Sequence, residues 1–246
     1  MTERESGRYR ILITGGTDGL GYQLARNYAQ NGHDVLVTGK RTIENERDYF
    51  DQAGIAYVRA DQMEPKRATT HIAKILDRLG WDALDLVILN AGTGWAGDPV
   101  EEGAEGISAQ LNINLTSPIA IAHWLAPRLM AVSGKLVLIG STASGNGNAG
   151  FATYVASKAA LDAFARALRE EWRGRAQVLM IHPGPIRTDM HEKAGLKLGA
   201  VRMLFMKPVR AARAVQRSIR NDDNRRSIGQ FYAWRSIFSK ARVGEL

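Results

Sequence analysis

Six short, nearly all-apolar runs recur along this chain, and that rhythm leaves few folds open. They are Arg10–Thr14, Asp34–Thr38, Ile55–Ala60, Leu84–Leu89, Lys135–Ile139 and Gln177–Ile181. Runs of this length and composition read as strands buried on both faces. Helical stretches separate most of them. Leu20–Gln30 sets Leu20, Leu24 and Tyr28 on one face and stops at Asn31-Gly32. Further helices are expected over Ala68–Leu79, through most of Ala104–Met130, and over Tyr154–Trp172. Buried strands that follow helices form a parallel sheet covered on both sides. Right-handed crossovers make it a doubly wound, Rossmann-type α/β sheet. Arg225–Trp234 reads as a seventh strand.

No Pro/Gly/Ser-rich linker, repeat or low-complexity stretch divides the chain, so residues 1–246 are expected to form one domain. Residues 189–206 break the rhythm. They mix Met190, Leu196, Leu198, Val201, Met203, Leu204, Phe205 and Met206 with glycine and alanine breaks, beyond the end of the sixth strand. That is where a mobile substrate lid belongs.

Composition narrows the chemistry. The chain has no cysteine, which excludes disulfides, thiol nucleophiles, iron–sulfur clusters and Cys-ligated zinc. His33, His71, His123, His182 and His191 are scattered without metal-ligand spacing, so no metal site is expected; His182 reads as a structural strand-end histidine. The formal net charge is +8, but it is unevenly placed. Residues 207–246 hold ten Lys/Arg against three acids, leaving 23 cations and 22 acids in the first 206. This basic C-terminal segment is either a solvated helical face or a surface with its own partner. No apolar run approaches a membrane span, and Met1–Arg10 lacks an apolar core, so a cytoplasmic protein is expected.

The first run leads directly into Thr14-Gly15-Gly16-Thr17-Asp18-Gly19-Leu20-Gly21 and then a helix. Glycines are needed where backbone turns tightly against a pyrophosphate. The helix N-terminus behind them offers free N–H groups and the positive end of a dipole. Placed between the first strand and first helix of an α/β pattern, the cluster is a dinucleotide-binding signal.

The spacing is T-G-x-x-x-G-x-G, and with it the chain resembles the short-chain dehydrogenase/reductase family. Five further landmarks follow in order: Asn90-Ala91-Gly92, Asn114, Ser141, Tyr154-Val155-Ala156-Ser157-Lys158 and Pro183-Gly184-Pro185-Ile186-Arg187-Thr188. The resemblance covers about residues 8–190. It implies an oxidoreductase that exchanges a hydride between a nicotinamide dinucleotide and a carbonyl or alcohol. The implied catalytic set is Asn114, Ser141, Tyr154 and Lys158. The implied cofactor contacts are Gly15, Thr17, Asp18, Gly19, Leu20, Gly21, Asp61, Gln62, Asn90, Ala91, Gly92, Tyr154, Lys158, Pro183, Gly184, Ile186 and Thr188.

Cofactor choice follows from the end of the second strand. An acid there would hydrogen-bond the adenosine ribose and favour NAD. The chain instead reads Thr38-Gly39-Lys40-Arg41, and Lys40 and Arg41 suit a 2′-phosphate. NADP(H) is therefore expected over NAD(H), with Asp18, where NADP-using relatives often carry a base, pulling the other way. Asp61 reads equally as an adenine contact or a turn cap.

Tyr154 and Lys158 are four apart on a helix and share a face. A free tyrosine titrates near about 10, and a neighbouring ammonium lowers that by about 1–3. The phenol would then exchange protons with a substrate oxygen at useful pH. The resemblance gives Ser141 the task of polarising the carbonyl, its 13-residue lead over Tyr154 favouring it above Thr142 and Ser144. It places water for proton return near Asn114.

The same resemblance makes Gly94, Trp95, Thr142, Ala143, Phe151, Pro185 and Met190 walls of the substrate pocket. It implies a homodimer through the helices carrying Asn114 and Tyr154, with a tetramer in doubt because the chain lacks the family's glycine-rich tail. Trp234, Ile237 and Phe238, flanked by Arg235, Lys240 and Arg242, are expected to pack on the domain, with peripheral attachment to an anionic membrane as the alternative. The competing functions are a non-catalytic dinucleotide sensor that binds a partner protein and a nucleic-acid-binding protein. The intact Ser141, Tyr154, Lys158 and Asn114 set opposes the first. The lack of any recognition-helix or RNA-binding motif opposes the second, so no nucleic-acid partner is expected.

Overall fold

The computed structural model describes residues 7–42, 54–145, 149–188, 190, 194 and 199–229. Its apolar runs form one seven-stranded sheet: β1 (Arg10–Ile13), β2 (Asp34–Gly39), β3 (Ile55–Arg59), β4 (Leu86–Leu89), β5 (Lys135–Ile139), β6 (Gln177–Pro183) and β7 (Arg225–Ile228). The order across the sheet is β3-β2-β1-β4-β5-β6-β7. Every neighbouring pair is parallel. The fold is therefore the doubly wound, Rossmann-type sheet that the alternation of strands and helices implies.

Alternate residues along each central strand face opposite sides. Leu12, Leu36, Val87, Leu136, Leu138 and Met180 pack under α2 (Pro65–Arg78), α4 (Ser117–Met130) and α5 (Ala152–Glu171). Ile11, Ile13, Val35, Val37, Ile88, Val137 and Ile181 pack under α1 (Gly19–Gln30) and α6 (Pro208–Arg220). α3 (Pro99–Leu111) precedes a π-helical turn, Asn112–Thr116, which runs into α4.

Several boundaries differ from the sequence expectation, each for a local reason. α2 starts at Pro65 rather than Ala68, because proline is favoured at a first helical position. The helical region expected over most of Ala104–Met130 is helical throughout, passing from α3 through the π-turn into α4, and α3 itself is broken at Gly103 (φ 66°). β6 runs on to Pro183, two residues past Ile181, paired against β7. β7 is described to Ile228; Phe231 to Trp234 of the expected seventh strand, and the expected amphipathic segment after it, lie outside the described residues. So does most of the expected lid, of which Met190, Ala194 and 199–206 are described.

The basic C-terminal segment takes the form of a solvated helical face where it is described. Arg210, Arg213, Arg217 and Arg220 are exposed on α6, while Ala211, Ala212, Val215 and Ile219 are buried. The buried Lys135 ties the end of this helix to the sheet, donating to the Ile219 carbonyl at 3.1 Å and pairing with Asp222. A cation there also suits the negative end of the helix dipole. No helix among the described residues is long and apolar enough to cross a membrane.

The chain runs outward from β1 to β2 and β3, then returns to place β4 on the other side of β1. This reversal opens a crevice at the carboxyl ends of β1 and β4, where doubly wound sheets bind ligands. The sheet's central layer carries the stability. Ile88→Ala, at a fully buried position, is expected to cost about 2–5 kcal/mol in urea unfolding. Val100→Ala, 89% exposed, is expected to stay within about 0.5 kcal/mol.

Candidate active site

The crevice is a cavity of about 340 Å³, within the roughly 300–1,000 Å³ range of small-molecule sites. Gly15, Thr17, Asp18, Gly19 and Leu20 line one end. Asp18 is the N-cap of α1, and its carboxylate accepts from the Gly19 N–H at 2.6 Å. Gly21 does not line the cavity; it lies beneath the loop. A Cβ there would stand 2.2 Å from the Gly15 oxygen and 2.5 Å from Asn90 Nδ2, so this helix position admits only glycine.

At the β2–β3 end, Lys40, Asp61 and Gln62 line the cavity. So do Thr38, Gly39 and Ala60, which the sequence reading did not single out; their signal is only that they end β2 and follow β3. Arg41 is not in the lining. Its carbonyl accepts from the Tyr57 hydroxyl at 2.8 Å, and the Lys40 carbonyl accepts from Arg59 Nε at 3.2 Å, so β3 pins this turn. Asp61 caps a turn, its carboxylate accepting from the Met63 N–H at 3.0 Å, and it also lines the cavity. Two buried oxygens, Thr38 Oγ1 and Gln62 Oε1, have no hydrogen-bond partner. Buried polar atoms are normally satisfied. Two orphans at the edge of a cleft that ends on a glycine-rich helix N-terminus fit a polar, phosphate-bearing ligand such as a nicotinamide dinucleotide.

Asn90, Ala91 and Gly92 line the middle of the cavity. Asn114 stands behind them, fully buried. Its Oδ1 accepts from the Thr93 N–H at 2.9 Å, and its Nδ2 donates to the Thr93 carbonyl at 2.9 Å and to Ser157 Oγ at 3.0 Å. The side chain therefore clamps the loop after β4, and π-turns of this kind often mark functional positions. Ser157, unremarked in the sequence, links the clamp to the site by donating to the Tyr154 carbonyl at 2.7 Å.

Ser141, Tyr154 and Lys158 converge on the cavity. The Ser141 hydroxyl and the Tyr154 phenol both face it, and the Ser141 hydroxyl accepts from the Ala143 N–H at 3.1 Å. Burial pushes the Tyr154 phenol above its ordinary value, with the neighbouring Ser141 hydroxyl opposing. This differs from the lowering expected from the Tyr-Lys spacing. The reason is that the Lys158 ammonium donates to the Ile139 carbonyl at 3.0 Å, while desolvation dominates at both groups. Burial likewise pulls Lys158 down to about 8.

Phe151, Met190, Gly94, Pro185 and Ala194 form the substrate side, and Pro183, Gly184, Ile186 and Thr188 lie opposite. Ala143 and Phe205 pack with Phe151 and Tyr154. Three expected walls, Trp95, Thr142 and Ala143, are not in the lining. Thr142 is buried, its hydroxyl on the Gly184 side. Trp95 turns its indole over Gly97 while its backbone N–H donates to Gln110 Oε1 at 3.2 Å. Among the described residues, no three His, Asp or Glu side chains are grouped to hold a metal ion.

The family described as short chain dehydrogenase matches residues 9–198. A cyclic-di-GMP-binding biofilm dispersal mediator protein of Escherichia coli is 30% identical over 190 residues, covering 75% of this chain and 76% of its own. An uncharacterized oxidoreductase of Mycobacterium tuberculosis is 30% identical over 231 residues, covering 90% and 88%. In three dimensions, a short-chain dehydrogenase of Sphingobium yanoikuyae in complex with NADPH superposes with a TM-score of 0.79 at 24% identity, covering 97% of this chain and 98% of that one.

The depressed Lys158 has a stability consequence of definite sign. Between pH 8 and 10.5 the unfolded chain binds this proton and the folded chain does not, so folding gains stability as pH rises. Below about 8 the folded chain carries the full cost of a buried ammonium, on the order of 3 kcal/mol. Lys158→Met removes that cost. Its unfolding free energy relative to wild type is expected to fall by about 3 kcal/mol between pH 7 and pH 10.5, measured by urea titration.

Proposed function

The chain belongs to the short-chain dehydrogenase family, and on that premise we propose that it is an NADP(H)-dependent oxidoreductase of carbonyl or alcohol substrates with Tyr154 as its acid–base. The observation that carries this reading is that Ser141 and Tyr154 together line a cleft that begins at the glycine loop.

The nicotinamide dinucleotide, when bound, supplies or accepts the hydride. Gly15, Gly19 and the α1 N-terminus hold its phosphates, and Asn90, Ala91 and Gly92 border its middle. Ile186 and Thr188 face its nicotinamide end. The Ser141 hydroxyl donates to the substrate carbonyl oxygen and polarises it. Tyr154 gives its phenolic proton to the same oxygen as negative charge develops there. A phenol raised by burial keeps that proton at neutral pH, which suits the reducing direction. In the oxidising direction the phenolate is needed, which burial opposes and the Ser141 hydroxyl favours. Phe151 and Met190 make the substrate side apolar, which supports a hydrophobic or mixed substrate.

The preference for NADP(H) rests on Lys40 and Arg41 in place of an acid after β2. Lys40 lines the cleft and Arg41 does not, so Lys40 carries more of the 2′-phosphate contact. A cytoplasmic homodimer completes the reading. Ile107 and Leu111 are exposed apolar residues at i and i+4 on α3, after its break at Gly103 and beside the turn that holds Asn114. They support association through the helices bearing Asn114 and Tyr154. A non-catalytic nucleotide sensor is the competing reading, favoured by the Escherichia coli relative named for binding cyclic-di-GMP. The proton donor Tyr154, which a sensor does not need, favours catalysis.

Two experiments test these assignments. Tyr154→Phe is expected to lower turnover on a carbonyl panel by at least about 100-fold while NADPH binding, followed by nucleotide fluorescence, is retained; undiminished turnover in the variant rejects the assignment, and NADPH binding without any turnover in wild type supports the sensor. Lys40→Ala is expected to lower kcat/KM for NADPH about 10- to 100-fold, as loss of a charged hydrogen bond does, to leave NADH use unchanged, and to exceed the effect of Arg41→Ala. Equal losses with both cofactors would remove the 2′-phosphate role.

A further inference from the structure

His182, at the end of β6, is 2% exposed, and both of its ring nitrogens face acceptors. Nδ1 lies 3.1 Å from the Ser141 carbonyl oxygen and 3.5 Å from Ser144 Oγ, whose own hydrogen goes to that carbonyl, and Nε2 lies 3.0 Å from Oδ1 of Asp162 on α5. Neither a carbonyl nor a carboxylate has a hydrogen to give. Each contact is therefore a hydrogen bond only when the ring nitrogen carries it, and the two together need a hydrogen on both nitrogens. Gly140 makes the approach possible, since a Cβ there would stand 2.8 Å from the ring's Nδ1.

Both ends of this chain of contacts are fixed. Asp162 Oδ1 also accepts from Arg225 Nε on β7 at 3.0 Å, and its Oδ2 lies 3.6 Å from Arg166 Nε. Burial pushes the Asp162 carboxyl up, but the hydrogen bonds and charges of Arg225 and His182 outweigh it and hold it below the usual range. The far end is the Ser141 peptide. Its carbonyl also accepts from Ser144 Oγ at 2.8 Å and from the Ser144 N–H at 3.2 Å, while the Ser141 hydroxyl accepts from the Ala143 N–H. Carbonyl and hydroxyl are thus held by one short turn, Thr142–Gly145, and whatever fixes the first aims the second.

We propose that His182 is a positioning residue for the reaction: its Nδ1–H holds the Ser141 carbonyl and so aims the Ser141 hydroxyl at Tyr154, while Asp162, clamped by Arg225, holds the ring. The proposal rests on the reading that Ser141 and Tyr154 act on the substrate oxygen. It adds that the edge strand β7 supports the site from outside the cleft, because the ring that reaches Ser141 is anchored through Arg225.

Two amides separate the two nitrogens. In His182→Asn the amide nitrogen takes the place of Nδ1 and keeps the bond to Ser141; in His182→Gln it takes the place of Nε2 and keeps only the bond to Asp162. His182→Gln is expected to lower kcat at least about 10-fold, as a misaimed reacting group does, with substrate KM, NADPH affinity and melting temperature matching those of His182→Asn. His182→Asn is expected to keep kcat within about 3-fold of wild type, the smaller loss of a ring anchor. Equal kcat losses in the two variants, or wild-type kcat in His182→Gln, overturn the proposal. A readout independent of turnover is fluorine NMR of the protein with 3-fluorotyrosine at position 154. Its resonance is expected to move in His182→Gln to where Ser141→Ala puts it, and to stay in His182→Asn; an unmoved resonance in His182→Gln overturns the proposal even if turnover proves independent of Tyr154, in which case the acid–base reading falls separately. Should neither His182 variant fold, Asp162→Asn carries the same test, expected to shift the fluorine resonance part of the way toward that of Ser141→Ala, with an unmoved resonance overturning the proposal.

Discussion

The Asn90 carboxamide donates to the carbonyls of both Thr14 and Gly15, each at 3.0 Å, and the placement of the cleft depends on that clamp. Thr14 returns the tie, its hydroxyl accepting from the N–H groups of Asn90 and Ala91 at 3.0 and 3.1 Å. The clamp sits where β1 and β4 end side by side, the one place in the sheet where the connections diverge to opposite sides. It closes the gap between a loop that must bind phosphate and a loop that must border the reacting end of the same ligand. Gly21 has no side chain because a Cβ would fall between Gly15 and Asn90. The glycine pattern is thus set by the protein's own backbone contacts as much as by any ligand.

Desolvation sets the electrostatics of the reacting groups. Tyr154 is 8% exposed and Lys158 is 4% exposed, and burial moves each toward its neutral form, the phenol upward and the ammonium downward. The protein accepts a cost in stability to keep two titratable groups dry beside one another. In such a site the neighbouring Ser141 hydroxyl opposes the burial effect without overcoming it. Geometry at Ser141 is then worth more than geometry at an exposed hydroxyl, which gives the buried contacts of the 141–145 turn a chemical weight that packing alone would not.

Sheet and reacting groups were legible in the sequence because both are written in local spacing. β4 and β5 are unbroken apolar runs, and Tyr154 and Lys158 are one helical turn apart. What the sequence hid is contact between distant residues. Asn114 was readable as a landmark, but not its grip on Thr93, 21 residues away, or on Ser157, 43 residues away. His182 looked like a strand-end histidine because nothing nearby in sequence indicates Asp162 or Ser141, and Trp95 and Thr142 were assigned to the cleft by position when their side chains turn elsewhere. The lowering expected for Tyr154 failed for the same reason: a four-residue spacing fixes which face two side chains share, not which carbonyl the ammonium finds or how dry the site is.

The net charge of +8 bears on this economy in an unexpected way. A protein that holds an anionic dinucleotide might be supposed to use its surplus cations for the purpose. Yet the described surplus lies on the outer face of α6, around a helix whose buried side is wholly aliphatic or small. The cleft instead offers the N–H groups of the glycine loop, the dipole of α1 and two lining lysines, Lys40 and, beside Tyr154, Lys158, against the carboxylates of Asp18 and Asp61. Asp18 spends part of its charge on the Gly19 N–H. Fixed dipoles at short range suit phosphate without a large field. On the proposed reading the cleft separates two tasks, with backbone N–H groups toward phosphate at the glycine loop and Ser141 and Tyr154 toward the substrate oxygen beside Phe151, Pro185 and Met190.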